Sequence, residues 1–295
     1  MDTEMKHAYL IVAHQDMKML MLLLEAIDDE RNDIFLHIDT KSPQLYAAIS
    51  KHKLRHSQLH IYSRFNVMWG DISLALLELF LFETAATNGQ YNYFHLLSGV
   101  DYPLKSQDYI HKFCKDNYGK QFIGYDKNNE SWIQRYQYKW YFTKYYKDPN
   151  LFKRAFFRTL TQCAYFIQHI VGYKRDLGYT EIKKGCNWLS LSDKCVKYIL
   201  SQKEVVISKF RYILAVDEIF LHTILWNSPF RDDIYDINDE YKSCLREIDW
   251  RRGTPYEWQL EDVNFLLNSE KLFARKFTSK NISLIRTLND GNKKK

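Results

Sequence analysis

The sequence predicts an α/β fold in which a mostly parallel, Rossmann-like central sheet is flanked by helices. The first observation is a set of four short apolar runs that lack polar alternation, a pattern typical of strands covered on both faces. These runs are AYLIVAH (8–14), DIFLHID (33–39), QLHIYS (58–63) and YFHLLS (93–98). The second observation is that helical patterns lie between several of the runs. This order is typical of a parallel sheet over residues 1–125.

The two helices of this first part are predicted to begin at acidic residues. In DMKMLMLLLEAID, Asp16 is placed as an N-cap, and in GDISLALLELFLFETAA, Asp71 lies near the start. Further along, CNWLSLS (186–192) and LREIDW (245–250) predict strands, whereas 193–202 and Asp217 to Trp226 predict helices. No linker separates these parts, so the sequence predicts one compact domain.

The composition and the missing motifs exclude several classes of protein. Of the 295 residues, 46% are hydrophobic and the net charge is +6, which favours an anionic ligand or surface without requiring nucleic acid. The five cysteines form no CxxC pair, which disfavours a disulfide scaffold or a zinc site. The first ten residues are too polar for a signal peptide and no apolar run reaches about 18 residues, so we expect a cytoplasmic protein. Neither GxGxxG nor GxxxxGK[ST] occurs, which disfavours a dinucleotide-binding enzyme or a P-loop nucleotidase.

Residues 126–180 differ in character because arginine, lysine, tyrosine and phenylalanine interleave there. One interpretation is a set of amphipathic helices that cover the sheet. The other is a surface that binds glycan, acidic lipid or nucleic acid. Within this segment, LFKRAFFRTLTQCAYFIQHIV (151–171) predicts either a helix packed on the protein's own core or a helix lying on an anionic membrane.

Several stretches together resemble the core-2/I-branching glycosyltransferases (glycosyltransferase family 14), which are relatives of the peptide O-xylosyltransferases. The matching stretches occur in family order from about residue 8 to 278. They are AYLIVAHQD, IFLHIDTKS, MWGDISL, YFHLLSGVDYPLKS, GCNWLSLS, VDEIFLHTIL, LREIDW and LFARKF. LLSGVDYPL followed downstream by LREIDW and LFARKF is the most specific combination.

The resemblance implies a GT-A fold, an inverting mechanism, a UDP-sugar donor and no metal ion or other cofactor. It divides the expected domain into a nucleotide-binding half (1–125), an acceptor-binding and catalytic half (126–285) and a polar tail (286–295). Eukaryotic members carry a membrane anchor in the Golgi. This sequence begins without one, so we expect a bacterial enzyme, cytoplasmic or peripheral on the inner face of the membrane. We expect transfer of GlcNAc, with xylose or another sugar as alternatives, to a glycan or lipid-linked glycan in surface polysaccharide synthesis.

Glu218, in AVDEIFLHTIL, falls where the family places its catalytic base. In an inverting transfer, a positioned carboxylate removes the proton of the acceptor hydroxyl. From spacing alone, Asp217 and Glu218 form an acidic first helical turn, which the helix dipole favours. The resemblance favours the catalytic role for Glu218 and leaves Asp217 as the expected helix cap.

Asp101 stands alone where many GT-A enzymes carry a metal-binding DxD motif, and one carboxylate is too few for such a site. We expect it either near the hydroxyls of the donor sugar or as a cap on the turn before Pro103. The family neutralises the leaving diphosphate with cationic side chains instead. Lys276, in LFARKF, matches its lysine and Arg246, in LREIDW, is the best match for its arginine. Arg251 and Arg252 are alternatives to Arg246.

The remaining site residues follow from strand ends and from aromatic chemistry. Val12 and Asp39 lie at the ends of the first two strands, where uracil and ribose would bind. Arg135, Tyr136 and Trp188 are expected to contact the acceptor, Trp188 because an indole face stacks on a sugar ring. Two other functions stay open: a nucleic-acid-binding protein that uses the basic, aromatic segment, and a catalytically inactive glycan-binding relative.

Overall fold

The computed structural model describes residues 5–127 and 132–292. The strands are β1 (His7–Ala13), β2 (Asn32–Ile38), β3 (Gln58–Tyr62), β4 (Tyr93–Ser98), β5 (Tyr102–Pro103), β6 (Ser190–Ser192), β7 (Arg246–Ile248) and β8 (Phe273–Arg275). The helices are α1 (Met17–Ala26), α2 (Pro43–Ile49), α3 (Ile72–Asn88), α4 (Gln107–Asp116), α5 (Gln134–Gln137), α6 (Leu151–Ile170), α7 (Asp193–Ser201), α8 (Lys203–Lys209), α9 (Phe220–Trp226), α10 (Glu240–Ser243), α11 (Val263–Asn268) and α12 (Ile282–Asn292). Short 3₁₀ turns lie at Thr143–Tyr145, Val216–Glu218, Pro229–Asp233, Leu260–Asp262 and Ser279–Asn281.

The main sheet has five strands in the order β3-β2-β1-β4-β6. The first four are parallel, and β6 joins β4 antiparallel. The predicted α/β class with a mostly parallel central sheet is therefore confirmed. A second sheet, β5-β8-β7, pairs a strand that follows β4 directly with two strands from the end of the chain.

Successive residues of β1 point to opposite faces of the main sheet, as the period of a strand requires. Ala8 and Leu10 pack with α3, α7 and α9, whereas Tyr9 and Ile11 pack with α1 and α4. Both faces of β1 are thus buried, which explains why its sequence is apolar without alternation. A third cluster of buried residues joins β5 and β8 to α11 and α12.

Both predicted acidic caps are confirmed. The side chain of Asp16 accepts a hydrogen bond from the N–H of Met19, and Asp71 accepts one from Ser73. The strand predicted at 186–192 is shorter than expected, because only Ser190–Ser192 (β6) pair with β4. The predicted polar tail begins too early, since α12 reaches Asn292 and buries Leu288 beside Ile285.

The interpretation of the basic, aromatic segment as helices that cover the sheet is largely wrong. The long helix α6 buries only Thr161 and Gln168, while most of its large apolar side chains are exposed. No helix in the described part of the chain has the length and apolarity needed to cross a bilayer.

Candidate active site

The carboxyl ends of the parallel strands meet at one edge of the main sheet, where open α/β folds bind their ligands. Val12, near the end of β1, pairs with His37 of β2 and with Ser98 of β4. Gly99 follows β4 and donates its N–H to the carbonyl oxygen of Val12 at 2.9 Å. A Cβ at Gly99 would lie 2.9 Å from the Cβ of Ala13, so glycine allows the turn after β4 to lie against β1.

Asp39 organises the loop after β2. One carboxylate oxygen accepts a hydrogen bond from the N–H of Lys41 (2.8 Å), and the other accepts one from Val67 (3.2 Å). The ammonium of Lys41 lies 3.5 Å from the same carboxylate. Asp39 therefore lies at the predicted edge and fixes two loops there, whereas its predicted contact with the nucleotide stays a prediction.

Asp101 is buried in the turn between β4 and β5. One of its oxygens accepts from the N–H of Ser98 (2.8 Å) and the other from the Ser98 hydroxyl (2.7 Å). The second oxygen also lies 3.3 Å from Nε of Arg275. Burial raises the pKa of Asp101, while Arg275 and the hydrogen bonds to Ser98 act in the opposite direction. Of the two expected roles, the structure shows the one in which Asp101 fixes the turn.

Arg275 is a site residue that the sequence analysis missed. It lies in β8 directly before Lys276, and its guanidinium stacks 4.4 Å above the ring of Trp188. Burial lowers its pKa, and Asp101 opposes that shift. The alternation of a strand could have revealed it, since neighbours in LFARKF must point to opposite sides.

Arg246 occupies a different environment from the one predicted. Only 1% of its surface is exposed, and its guanidinium donates to the carbonyl oxygens of Cys244 (2.6 Å) and Leu189 (2.8 Å). It also stacks 4.6 Å from the ring of Phe273. A guanidinium engaged in this way holds β7 against the main sheet, which disfavours it as a ligand of a diphosphate.

The two alternatives to Arg246 lie in the loop after β7. Arg252 bonds to Asp249 (2.6 Å) and Asp262 (2.8 Å) and lies 4.0 Å above the ring of Tyr256. Arg251 is exposed, and its backbone N–H donates to Asp249. Both arginines are exposed, and what distinguishes them is that the guanidinium of Arg252 is paired with two carboxylates.

Lys276 lies where the ends of β8 and β1 come together. Its Nζ is 3.2 Å from a carboxylate oxygen of Glu257, and 29% of its side chain is exposed. Burial lowers the pKa of His14, Asp39 opposes this, and the charges of Lys41 and Lys276 lower it further. The ends of three strands therefore place an acidic residue and two cations around His14.

Glu218 ends the 3₁₀ turn that precedes α9. Both terminal nitrogens of Arg135 donate to its Oε2, at 3.0 and 2.9 Å, and Nζ of Lys184 lies 3.7 Å away. Arg135 is itself held by a bond from Nε to the carbonyl oxygen of Leu214 (3.0 Å). Among the described residues, no group donates to Oε1, and one third of the side chain (33%) is exposed. Glu218 therefore has one anchored oxygen and one that a ligand can use.

Asp217 does not cap α9, contrary to the expectation, because Ile219 is the N-cap residue and no side chain accepts there. Its carboxyl group points inward instead. Burial, followed by the charge of Glu218, raises the pKa of Asp217 to about 7. Glu78 of α3 is fully buried nearby, and it accepts a hydrogen bond from Asn187 at 2.6 Å. Burial and Asp217 raise the pKa of Glu78 well above its usual range.

Glu78 is the second residue that the sequence analysis missed. It is a lone acid within the apolar helix sequence LALLELFLF. A lone carboxyl group among apolar residues on every side of a helix indicates that the group is buried together with the helix. Such a group is of interest because a charged side chain is rarely buried without a partner.

Two of the three predicted acceptor residues contact other residues of the candidate site. Arg135 contacts Glu218, and Trp188 contacts Arg275. Tyr136 packs 5.7 Å from the ring of Trp132, and burial raises its pKa. Their contact with an acceptor stays a prediction.

One segment, residues 184–188, connects the two charged parts of the site. Lys184 lies beside Glu218, the N–H of Gly185 donates to the Glu218 carbonyl at 3.0 Å, and Trp188 stacks on Arg275. Arg275 adjoins Lys276 in the chain. A chain of contacts therefore leads from the carboxylate of Glu218 to Arg275, the neighbour of Lys276 in sequence.

One group of residues in the described part of the chain has metal-ligand chemistry, namely His7, His95 and Cys114. All three are buried. The two ring nitrogens of His95 are already bonded to Ser190 (2.7 Å) and His7 (3.1 Å), and burial lowers the pKa of both histidines. This group is a hydrogen-bonded part of the core, away from the carboxyl edge of the sheet.

Comparison with known proteins decides the family. The family model described as Core-2/I-Branching enzyme matches residues 7–264. The chain belongs to the core-2/I-branching enzyme family. The resemblance to this family is thereby confirmed, and LLSGVDYPL and LREIDW lie within the matched residues, whereas LFARKF (272–277) lies beyond them.

Several proteins similar to this chain are named xylosyltransferases. Xylosyltransferase oxt of Drosophila pseudoobscura pseudoobscura is 24% identical over 277 residues, which are 86% of this chain and 29% of that protein. Xylosyltransferase 2 of Rattus norvegicus is 23% identical over 295 residues, which are 92% of this chain and 32% of that protein. The chain thus spans less than two thirds of the length of these relatives.

Among solved structures, mouse xyloside xylosyltransferase 1 in its apo form aligns with 91% of this chain and 96% of that chain. The TM-score is 0.40 and the sequence identity is 10%. A similarity of this size carries no argument about function.

Proposed function

We propose that this core-2/I-branching enzyme transfers a sugar from a UDP-sugar to a hydroxyl of a glycan acceptor, with inversion and without a divalent metal. The observation that carries the proposal is the geometry of Glu218. Arg135 fixes Oε2, while Oε1 accepts from no described group and one third of the side chain is exposed. A carboxylate held in this way suits the removal of a proton from an acceptor hydroxyl.

In the proposed step, the acceptor oxygen forms a bond to the anomeric carbon as the bond from that carbon to the UDP oxygen breaks. The electron pair of the broken bond leaves with UDP, and the proton of the hydroxyl passes to Oε1 of Glu218. Proton removal by a positioned base contributes about 10²–10⁴-fold to such rates. Arg135 keeps the carboxylate oriented throughout.

Lys276 is the proposed partner of the diphosphate. Its charge acts on His14 just after β1, as the charges of Asp39 and Lys41 do, and it would neutralise charge that grows as UDP leaves. The environment of Asp101 supports a metal-independent reaction, since Ser98 occupies both of its oxygens and the cationic Arg275 lies beside it.

For the donor we propose UDP-GlcNAc, which the sequence resemblance favoured. UDP-xylose is the second candidate, because the relatives named above are xylosyltransferases. The proposed product is a surface polysaccharide or a lipid-linked precursor of one.

A UDP-release assay over a panel of UDP-sugars tests the proposal, because even slow hydrolysis of the donor reveals which sugar is accepted. Glu218→Gln retains the size of the side chain and removes the base. We expect transfer to fall by about 10²-fold or more with UDP affinity nearly unchanged. Glu204→Gln, on the exposed face of α8, is the matched control and should leave both quantities unchanged.

Other outcomes of this assay identify the alternatives. UDP binding with no turnover of any donor would indicate a catalytically inactive glycan-binding relative. Polynucleotide binding with log-linear salt dependence and no affinity for UDP would indicate a nucleic-acid-binding protein. Near-normal turnover by Glu218→Gln would refute the assignment of the base.

A further inference from the structure

The side of α6 that faces the protein carries two buried polar side chains together with aromatic rings. Thr161 and Gln168 are buried there, and the Thr161 hydroxyl donates to the carbonyl oxygen of Tyr141 at 2.8 Å. The Gln168 side chain bonds to both backbone groups of Lys139, accepting at 2.8 Å and donating at 3.1 Å. These bonds fix which side of the helix faces outward.

The outward side of α6 is apolar and continuous. Phe152 is 88% exposed, Phe156 60% and Ile167 60%, and these positions follow one another on the same side of a helix. The other exposed apolar residues of this face are Leu151, Leu160, Phe166, Ile170 and Val171. Soluble proteins rarely expose an apolar patch of this extent, because removing each Å² of apolar surface from water is favourable by about 25 cal/mol. We call these eight residues the outer face of α6.

The charge within α6 has one sign. Lys153, Arg154 and Arg158 belong to α6, and no acidic residue lies between 151 and 170. Lys144 and Lys147 lie in the turns just before the helix. A second copy of the chain would bring the same cations against these cations. A bilayer with anionic lipids supplies both hydrocarbon for the phenylalanines and negative headgroups for the cations.

We propose that the outer face of α6 docks the protein on an anionic lipid bilayer, with the helix lying in the plane of the interface. The three cations within α6 suit this position, since a helix at the interface immerses its apolar side and leaves its charges among the headgroups.

Docking also orients the candidate active site. Residues 139–141, whose backbone groups bond to Gln168 and Thr161, closely follow α5 in the chain. Arg135 of α5 in turn bonds to Glu218. The membrane would thus lie on the side from which Arg135 reaches the base. A lipid-linked acceptor fits this orientation. Only this statement about the acceptor rests on the proposed glycosyl transfer.

Vesicle sedimentation with the full chain tests the docking without donor or acceptor. We expect the protein to sediment with phosphatidylcholine–phosphatidylglycerol vesicles at low salt, and much less with phosphatidylcholine alone. Phe152→Ser with Phe156→Ser should weaken binding by about tenfold or more. The matched control is Tyr118→Ser with Phe265→Ser, two side chains that are also more than half exposed, and it should bind like the unmodified chain.

Absence of binding to anionic vesicles at low salt would overturn the proposal. So would an equal effect of the control variant. A dimer in solution that the Phe152/Phe156 variant abolishes, without vesicle binding, would assign the face to a second copy of the chain. Glu218→Gln should bind vesicles normally, so loss of turnover and loss of docking are distinguishable.

Discussion

At the scale of single residues, Asp217 and Glu218 are neighbours in sequence with different surroundings. Glu218 is paired with Arg135 and reaches solvent, whereas Asp217 points inward toward Glu78. A 3₁₀ turn makes this divergence possible because it rotates each residue by roughly 120° relative to the last. One of the two carboxylates is therefore suited to chemistry at the surface, and the other is desolvated.

The raised pKa of Asp217 predicts a pH-dependent stability. Its ordinary value is 3.8 and its value in the fold is about 7, so between these limits the native state binds more protons than the unfolded chain. The free energy of unfolding then falls as the pH rises through this range. Asp217→Asn should raise Tm near pH 8, by about 2–4 °C for each kcal/mol recovered, and raise it clearly less near pH 5, where the native carboxyl group is still protonated.

Thermal unfolding at the two pH values measures this directly. Asp232→Asn, on an exposed 3₁₀ turn, is the control and should show no such difference. Equal effects of Asp217→Asn at both pH values would contradict a protonated Asp217 in the native state.

The expected effect of removing the charge of Asp101 differs from that at Asp217, because Asp101 is the partner of a mostly buried cation. Asp101→Asn leaves Arg275 without its counter-charge, and breaking a buried pair costs up to about 3–5 kcal/mol. We expect a clearly lower Tm, with a smaller effect on UDP affinity than Lys276→Ala causes. Asp116→Asn removes the exposed pair with Lys112 and should change Tm little. An unchanged Tm with lost UDP affinity would mean that Asp101 contacts the donor instead.

At the scale of elements, β8 and α6 show how orientation separates the roles of neighbouring residues. Arg275 and Lys276 are adjacent, yet the first pairs with Asp101 and the second with Glu257. In α6, two buried polar side chains and two aromatic rings face the protein, while most of the large apolar side chains face outward.

The orientation of α6 predicts that stability is more sensitive to replacement of a buried polar residue than to replacement of an exposed apolar one. Gln168→Leu should lower Tm, because it leaves both backbone groups of Lys139 without their partner, at about 1–3 kcal/mol for each buried unpaired group. Phe152→Ser should leave Tm nearly unchanged, since that side chain is 88% exposed. Destabilisation by Phe152→Ser with tolerance of Gln168→Leu would show that the helix packs through its apolar side.

At the scale of the whole molecule, the proposed diphosphate partner comes from a part of the chain far from the first strands. Lys276→Ala should lower both UDP-sugar affinity and turnover, with a total loss of about 2–4 kcal/mol in transition-state stabilisation. Activity should persist in excess EDTA, and Mn²⁺ should not rescue the variant, because Asp101 offers too few free oxygens to hold the ion.

Steady-state kinetics with and without EDTA check this prediction. Lys194→Ala, exposed on α7, is the matched control. An enzyme that loses activity in EDTA and recovers with Mn²⁺ would refute the metal-independent account.

The sequence alone determined the class of fold, the first four strands, the acidic caps at Asp16 and Asp71 and the family. These features depend on local patterns, since burial on both faces of a strand and capping of a helix act over a few neighbouring residues. The placement of Val12 and Asp39 at the ends of the first two strands also followed, because the apolar runs that precede them end there.

Only the tertiary structure decided what each charged side chain contacts. Arg246 was expected at a ligand and lies in the core, Arg275 was missed and pairs with Asp101, and Asp217 turns inward toward Glu78. The outward face of α6 was likewise set by bonds to residues 139–141. The physical reason is that the partner of a charge or a buried amide comes from distant parts of the chain, and the sequence pattern around a residue does not specify that partner.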